Sequence, residues 1–201
     1  MSIISPHQLL EGYIRGIFPM ADSRDDKEVQ WYTARLRGII PLENFRVSKK
    51  VKRLSRQKRF TAAINKDFRG VMEACAERES TWISQTIIDS FAHLHTLGYA
   101  HSVEIYENDR LAGGLYGVAI GGAFFAESMF QRTKEASKIA LCHCHQHLVK
   151  QGFELWDVQF YTDHLGQFGC IQITDKEYEI HLENALKKKA VFDDRMNADA
   201  Q

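Results

Sequence analysis

Three polar side chains interrupt otherwise apolar strand-like runs of this sequence. In FELWDVQF, Asp157 and Gln159 are two positions apart and share one face of an extended strand, with Trp156 and Val158 on the other. Glu127 is the lone acid of GGAFFAESMF. Burying a carboxylate or an amide costs free energy unless it is hydrogen-bonded, so these positions mark either a satisfied internal network or groups that are used. Burial would raise the Glu127 pKa or demand a partner for it. A carboxylate beside an amide can orient an incoming amine and take or relay its proton, which suits acyl transfer onto nitrogen.

Other constellations are weaker. His143 and His147 in HCHQH have the i, i+4 spacing of a helical metal site, but lack an adjacent Glu or an obvious third ligand, and no metal is expected. His93, His95, His101 and His164, with Ser84 or Ser102, show no nucleophile-elbow pattern. Cys75, Cys142, Cys144 and Cys170 form no CxxC pair; in a chain of 201 residues without a leader they read as reduced cytosolic thiols. Trp82 and the Trp31-Tyr32 pair are rings that can stack on a base, with core packing as the plainer account.

Charge is uneven although the net formal charge is zero. From Phe45 to Lys66 there are nine basic residues and no acid, so the rest of the chain is acidic. Such a strip is either a solvated face or a contact for a polyanion.

These groups need a framework to position them, and the apolar content, 44%, is enough for one core. A short helix from Pro6 to about Arg15 and the GIFPMAD loop suggest a small N-terminal lobe over residues 1–40. FTAAIN reads as a strand, with Asn65 as cap of a helix to about Glu79. SQTIIDSFAHLHTLG has apolar residues close to helical spacing, with Gly98 as its stop. HSVEIYE, LAGGLYGVAI and GAFFAESMF are three strands separated by Asn108-Asp109 and Gly121-Gly122, an antiparallel meander. A helix from about Lys134 to Lys150, the strand FELWDVQF, the strand CIQIT and a helix from about Lys176 to Lys189 complete residues 41–190. Residues 191–201 read as a fraying tail. The fold class is α+β: a mixed, mainly antiparallel sheet flanked by helices, acetyltransferase-like (GNAT-like) in its element order. No segment is long and apolar enough to cross a membrane, and no secretion signal opens the chain, so a cytoplasmic protein is expected.

An acetyltransferase of this order would carry a glycine-rich turn offering N–H groups to the CoA pyrophosphate at the start of the central helix. That stretch here, QRTKEASKIA, has no glycine. CoA is therefore a poor donor, and no cofactor is expected. A basic strip, free aromatics and an amine-directed site without CoA converge on an aminoacyl-tRNA, whose ester is already an activated acyl donor.

The ordered blocks YIRGIFPM, RGIIPLENFRVSKKVKR, TWI, LHTLGYAHSVEIY, LAGGLYGVAIGGAF, ESMF, ASKIAL and DVQF followed by DHL resemble the leucyl/phenylalanyl-tRNA–protein transferase family from about Gly12 to Ile173. The resemblance implies transfer of Leu or Phe from aminoacyl-tRNA to proteins with N-terminal Arg or Lys, for N-end-rule degradation, by a monomer. It implies that Gln159, polarised by Asp157, accepts the proton of the attacking amine and that Glu127 holds the aminoacyl end. Met20 and Trp82 match the clamp on the terminal adenine, where Met20 replaces an aromatic and gives up stacking area. Phe91, Leu115, Phe124, Leu141, Cys144 and Leu148 match the pocket for the transferred side chain. Arg46, Lys49, Lys50, Lys52 and Arg53 match the tRNA contacts, which makes activity salt-sensitive. Strict alternation would put Phe125, Glu127 and Met129 on one face, away from Phe124, so a pocket using both Phe124 and Glu127 requires a β-bulge between residues 123 and 130. Two alternatives stand beside this reading: a small-molecule N-acetyltransferase, and a tRNA-binding module without catalysis.

Overall fold

Ser5 starts the first helix of the computed structural model, which describes residues 3–193. In helix α1 (Pro6–Ile14) the Ser5 hydroxyl accepts from the Gln8 N–H and the Gln8 side chain accepts from the Ser5 N–H, a reciprocal cap. A two-stranded antiparallel ribbon follows, β1 (Phe18–Met20) and β2 (Gln30–Tyr32). Strand β3 (Leu36–Ile39), short helix α2 (Lys49–Leu54), strand β4 (Phe60–Ile64) and helices α3 (Phe68–Ala76) and α4 (Gln85–Thr96) lead to the meander β5 (Ala100–Glu107), β6 (Arg110–Ile120) and β7 (Ala123–Gln131). Helix α5 (Ala136–Lys150), strand β8 (Leu155–Gln159), short helix α6 (Asp163–Gly166), strand β9 (Ile171–Thr174) and helix α7 (Asp175–Leu186) end the succession.

The main sheet has the order β4-β5-β6-β7-β8-β3-β9, antiparallel except for the β7–β8 pair. This is the mixed, mainly antiparallel α+β sheet expected from the sequence. One apolar layer packs α1, α3, α4 and α7 on one face, through Tyr13, Phe68, Ile87, Phe91 and Leu182. The other packs α2 and α5 on the opposite face, through Val51, Leu141, Cys144, Leu148 and Trp156.

Four details differ from the sequence expectations. Leu36–Ile39, counted with the N-terminal lobe, lies in the main sheet between β8 and β9. Gly38 permits this, because a Cβ there would stand 2.7 Å from the Phe160 backbone. Asp67, not Asn65, caps α3; Asn65 has a left-handed φ of 55° and its Oδ1 accepts from the Ser102 N–H at 3.0 Å, a tertiary bond that no local signal announces. The helices also start or stop short: α3 ends at Ala76, and α7 ends at Leu186. The tail is packed at its start: Phe192 is buried, stacked on His101 and Phe124, while the remainder of the tail expected to fray lies outside the described residues.

Candidate active site

Glu127 owes its position to a local fault in the sheet. Tyr116 pairs with Ser128 and Gly117 with Ala126, so Glu127 has no opposite residue and forms the bulge required above. Phe124, Ala126 and Met129 consequently contact the α5 layer, while Phe125 and Phe130 belong to the other. Gly117 sits opposite the fault; a Cβ there would lie 2.3 Å from the Phe125 carbonyl oxygen. The Glu127 carboxylate accepts from the Tyr13 hydroxyl at 2.8 Å and from the Gln159 amide at 3.3 Å. Burial pushes its pKa up to about 8, with Asp157 adding to the rise and the Tyr13 hydrogen bond and Arg37 opposing it.

The β7–β8 pairing stops at Phe125 and Asp157, although β7 continues to Gln131, and the two strands part beyond that point. Next to the opening, Gly38 pairs with Gln159 and Ile39 with Asp157, leaving Val158 as an extra residue, and Gln159 has a φ of 57°. Despite this second irregularity Trp156 and Val158 share the α5-side layer, as the alternation of the strand predicts. Asp157 is fully buried and accepts from Arg37 Nε at 3.0 Å, Arg37 Nη2 at 2.7 Å, the Tyr178 hydroxyl at 2.7 Å and the Gln159 backbone N–H at 2.8 Å. The side-chain relay expected from Asp157 to the Gln159 amide is thus replaced by a backbone bond that holds Gln159 in its left-handed conformation. Arg37 is itself 1% exposed, donates to the Gly16 carbonyl and lies over the rings of Phe18 and Tyr178. Burial works against its charge, and the neighbouring Asp157 outweighs burial, so its pKa is raised.

A cavity of about 430 Å³ opens at the parting of the strands. Glu127, Gln159, Met20, Trp82, Leu115 and Leu141 from the sequence-derived set line it. Phe124, Cys144 and Leu148 lie behind that lining in the α5-side layer, and Phe91 lies across the sheet, edge-on to Tyr13 and Tyr116. Val158, Met129, Leu165 and Phe160 line the cavity and were not singled out in the sequence, nor were the supporting Tyr13, Arg37 and Tyr178. Arg37 was findable: a charge in the apolar run LRGII is the same anomaly that marked Asp157.

Lys49, Lys50, Lys52 and Arg53 lie on α2 and are exposed, as is Arg46 just before it. Lys50 donates to Glu135 Oε1 at 2.7 Å, and Lys138 pairs with Oε2 at 2.9 Å. Their hydrogen bonds pull the Glu135 pKa down to about 2. Glu135 is the residue before the first turn of α5, and its carboxylate turns to the two lysines rather than capping the helix. On α5, His147 Nε2 lies 2.6 Å from the Phe192 carbonyl oxygen.

A family profile described as leucyl/phenylalanyl-tRNA protein transferase matches residues 39–183, and its N-terminal domain profile matches residues 3–35. The chain is 47% identical over 194 residues to the leucyl/phenylalanyl-tRNA–protein transferase of Rhodopseudomonas palustris, with 94% of this chain and 87% of that one covered. It is 48% identical over 189 residues to that of Cereibacter sphaeroides, covering 94% and 88% respectively. Among solved structures, the C-terminal domain of a putative lysylphosphatidylglycerol synthetase from Agrobacterium fabrum matches at 12% identity and a TM-score of 0.44, covering 94% of this chain and 60% of that one. An aminoglycoside acetyltransferase from a soil metagenomic sample matches at 12% identity and a TM-score of 0.39, covering 65% and 89%. With one profile covering residues 39–183 and the other residues 3–35, the chain belongs to the leucyl/phenylalanyl-tRNA–protein transferase family.

Proposed function

We propose that this protein transfers Leu or Phe from aminoacyl-tRNA to the α-amino group of proteins with N-terminal Arg or Lys, forming a peptide bond. It works in the cytoplasm as a monomer, and the added residue marks the acceptor for N-end-rule degradation. The observation that carries the reading is the half-buried Glu127 carboxylate, held by Tyr13 and Gln159 at the wall of an apolar cavity that also presents Trp82.

In this reading the terminal adenine lies between Met20 and Trp82 and the transferred side chain lies among Leu115, Leu141 and their neighbours, backed by Phe124, Cys144, Leu148 and, beyond the sheet, Phe91. An apolar lining accepts Leu and Phe alike and rejects charged side chains by the cost of their desolvation. The acceptor's α-ammonium gives a proton to Glu127, the better base of the pair, because a carboxamide oxygen accepts hydrogen bonds but does not hold a proton near neutral pH. The Gln159 carbonyl oxygen orients the freed amine. Its nitrogen then attacks the ester carbonyl carbon, the carbon–oxygen bond to the ribose breaks, the ribose oxygen takes the proton held by Glu127 and leaves as a hydroxyl, and the extra proton still on the nitrogen passes to Glu127, leaving a neutral amide. Asp157 acts on this chemistry by fixing the Gln159 backbone. Because the ester is already activated, the reaction needs no additional cofactor. Arg46, Lys49, Lys50, Lys52 and Arg53 supply phosphate contacts for the tRNA.

The experiment is transfer from labelled Leu-tRNA to a peptide beginning with Arg or Lys. Labelling is expected, and it should fall steeply in Glu127→Gln and Gln159→Ala; no labelling by the wild type would overturn the reading. Tight tRNA binding without turnover would favour a binding module instead. An acetyl-CoA enzyme is disfavoured by the stretch that leads into α5, QRTKEASKIA, which has no glycine to bring backbone N–H groups to a pyrophosphate.

A further inference from the structure

Arg78 is the one arginine or lysine among the described residues lining the cavity, and Glu127 is the one carboxylate. The remaining titratable group there, His164, has its pKa lowered by burial and by Lys138. Arg78 lies in the irregular segment between α3 and α4, and its Nη2 donates to the Ser128 hydroxyl at 3.1 Å and to the Met129 carbonyl, both on β7 just past the bulge. Nearby arginines have their counter-ions: Arg132 pairs with Glu77, and Arg69 with Glu73 and Asp89. Among the described residues Arg78 forms no ion pair, and neither its Nε nor its Nη1 is used by a protein hydrogen bond.

The backbone that carries Arg78 is also held. Arg24, from the connection between β1 and β2, donates to the carbonyls of Ala76 and Arg78, and the Ala21 N–H donates to the Trp82 carbonyl at 3.2 Å. An aromatic ring and a half-free guanidinium therefore stand on one pinned arc of chain at the cavity wall. The guanidinium fork is the side chain best matched to a phosphate, and an unpaired cation beside a base-sized ring is an anion site.

We propose that Arg78 binds the 5′-phosphate of the donor's terminal nucleotide, a contact separate from the basic strip on α2. The proposal rests on the transfer reaction argued above. The test compares dissociation constants for adenosine and adenosine 5′-monophosphate, read by tryptophan fluorescence at fixed salt and checked as inhibition of transfer from Phe-tRNA. Wild type is expected to prefer the monophosphate by about tenfold or more, the strength of a charge-assisted hydrogen-bonded contact. Arg78→Gln should bring the ratio close to one, and Arg78→Lys should restore part of it. The ratio is independent of how much of the variant is folded. Equal binding of both ligands by wild type, binding of neither, or a preference that survives in Arg78→Gln would overturn the assignment. Absence of transfer in the uninhibited control would instead sink the reaction itself, while the two dissociation constants would still report on Arg78.

Discussion

Glu127 and Asp157 are carboxylates on neighbouring strands, and their surroundings give them different work. Asp157 is met by Arg37, Tyr178 and the Gln159 N–H in a dry interior, so Asp157→Ala would strand a buried guanidinium. We expect a loss of roughly 3–5 kcal/mol in urea unfolding, the usual result of breaking a buried pair, together with lost transfer. Glu127 has a pKa raised to about 8, so between the ordinary carboxylate range and pH 8 the folded state binds more protons than the unfolded one. Stability contributed at this site is then highest at acid pH and falls as pH rises through that window. The fall in urea midpoint from pH 5 to pH 8 should be smaller in Glu127→Gln, and equal slopes in both proteins would argue against the raised pKa. The same substitution should slow transfer at neutral pH by about 10²–10⁴-fold, the contribution of a positioned base. The anomaly of three polar residues in apolar strands was visible without a structure. The identity of their partners was not, because Arg37 and Asp157 are 120 positions apart.

At the scale of elements, the bulge at Glu127 and the extra residue at Val158 decide which side chains reach the cavity. Period-two alternation located the strands, since one face of each is packed, but it cannot count residues across an irregular pair. The need for the first bulge could be inferred from a conflict between Phe124 and Glu127; the second left no such conflict, since Trp156 and Val158 still share the α5-side layer as alternation predicts. Gly117 tests the arrangement, because even a methyl group there meets the Phe125 carbonyl. Gly117→Ala should destabilise by about 1–3 kcal/mol in denaturant unfolding, as overpacking does. Residual folded enzyme should also be slow, since the bulge carries Glu127. A fully active, equally stable variant would show that the bulge does not position the base.

At the scale of the whole molecule, the cationic strip on α2 and the acidic remainder of the chain give one face a field suited to a polyanion. Its members are not equivalent, because Lys50 is already neutralised by Glu135 whereas Lys52 and Arg53 form no ion pair among the described residues. Removing Lys52 or Arg53 should lower the slope of log kcat/KM against log salt by about one per lost phosphate contact. Lys50→Ala should change the slope less, and equal changes would mean that tRNA breaks the Lys50–Glu135 pair. From the sequence alone came helix α1 and, from β4 onward, the order of the elements apart from short helix α6, because caps, turns and apolar periods act within a few residues, as at Asn108-Asp109, both of positive φ; the ribbon β1–β2, strand β3 and short helix α2 did not. The polar anomalies and the basic strip were equally local. Only the tertiary structure decided that β3 enters the main sheet, that Asp157 anchors backbone rather than polarising an amide, and that Arg78 faces the cavity. Those outcomes depend on register and close approach between segments far apart in the chain, where the free energy of each contact is set by partners that no local window contains.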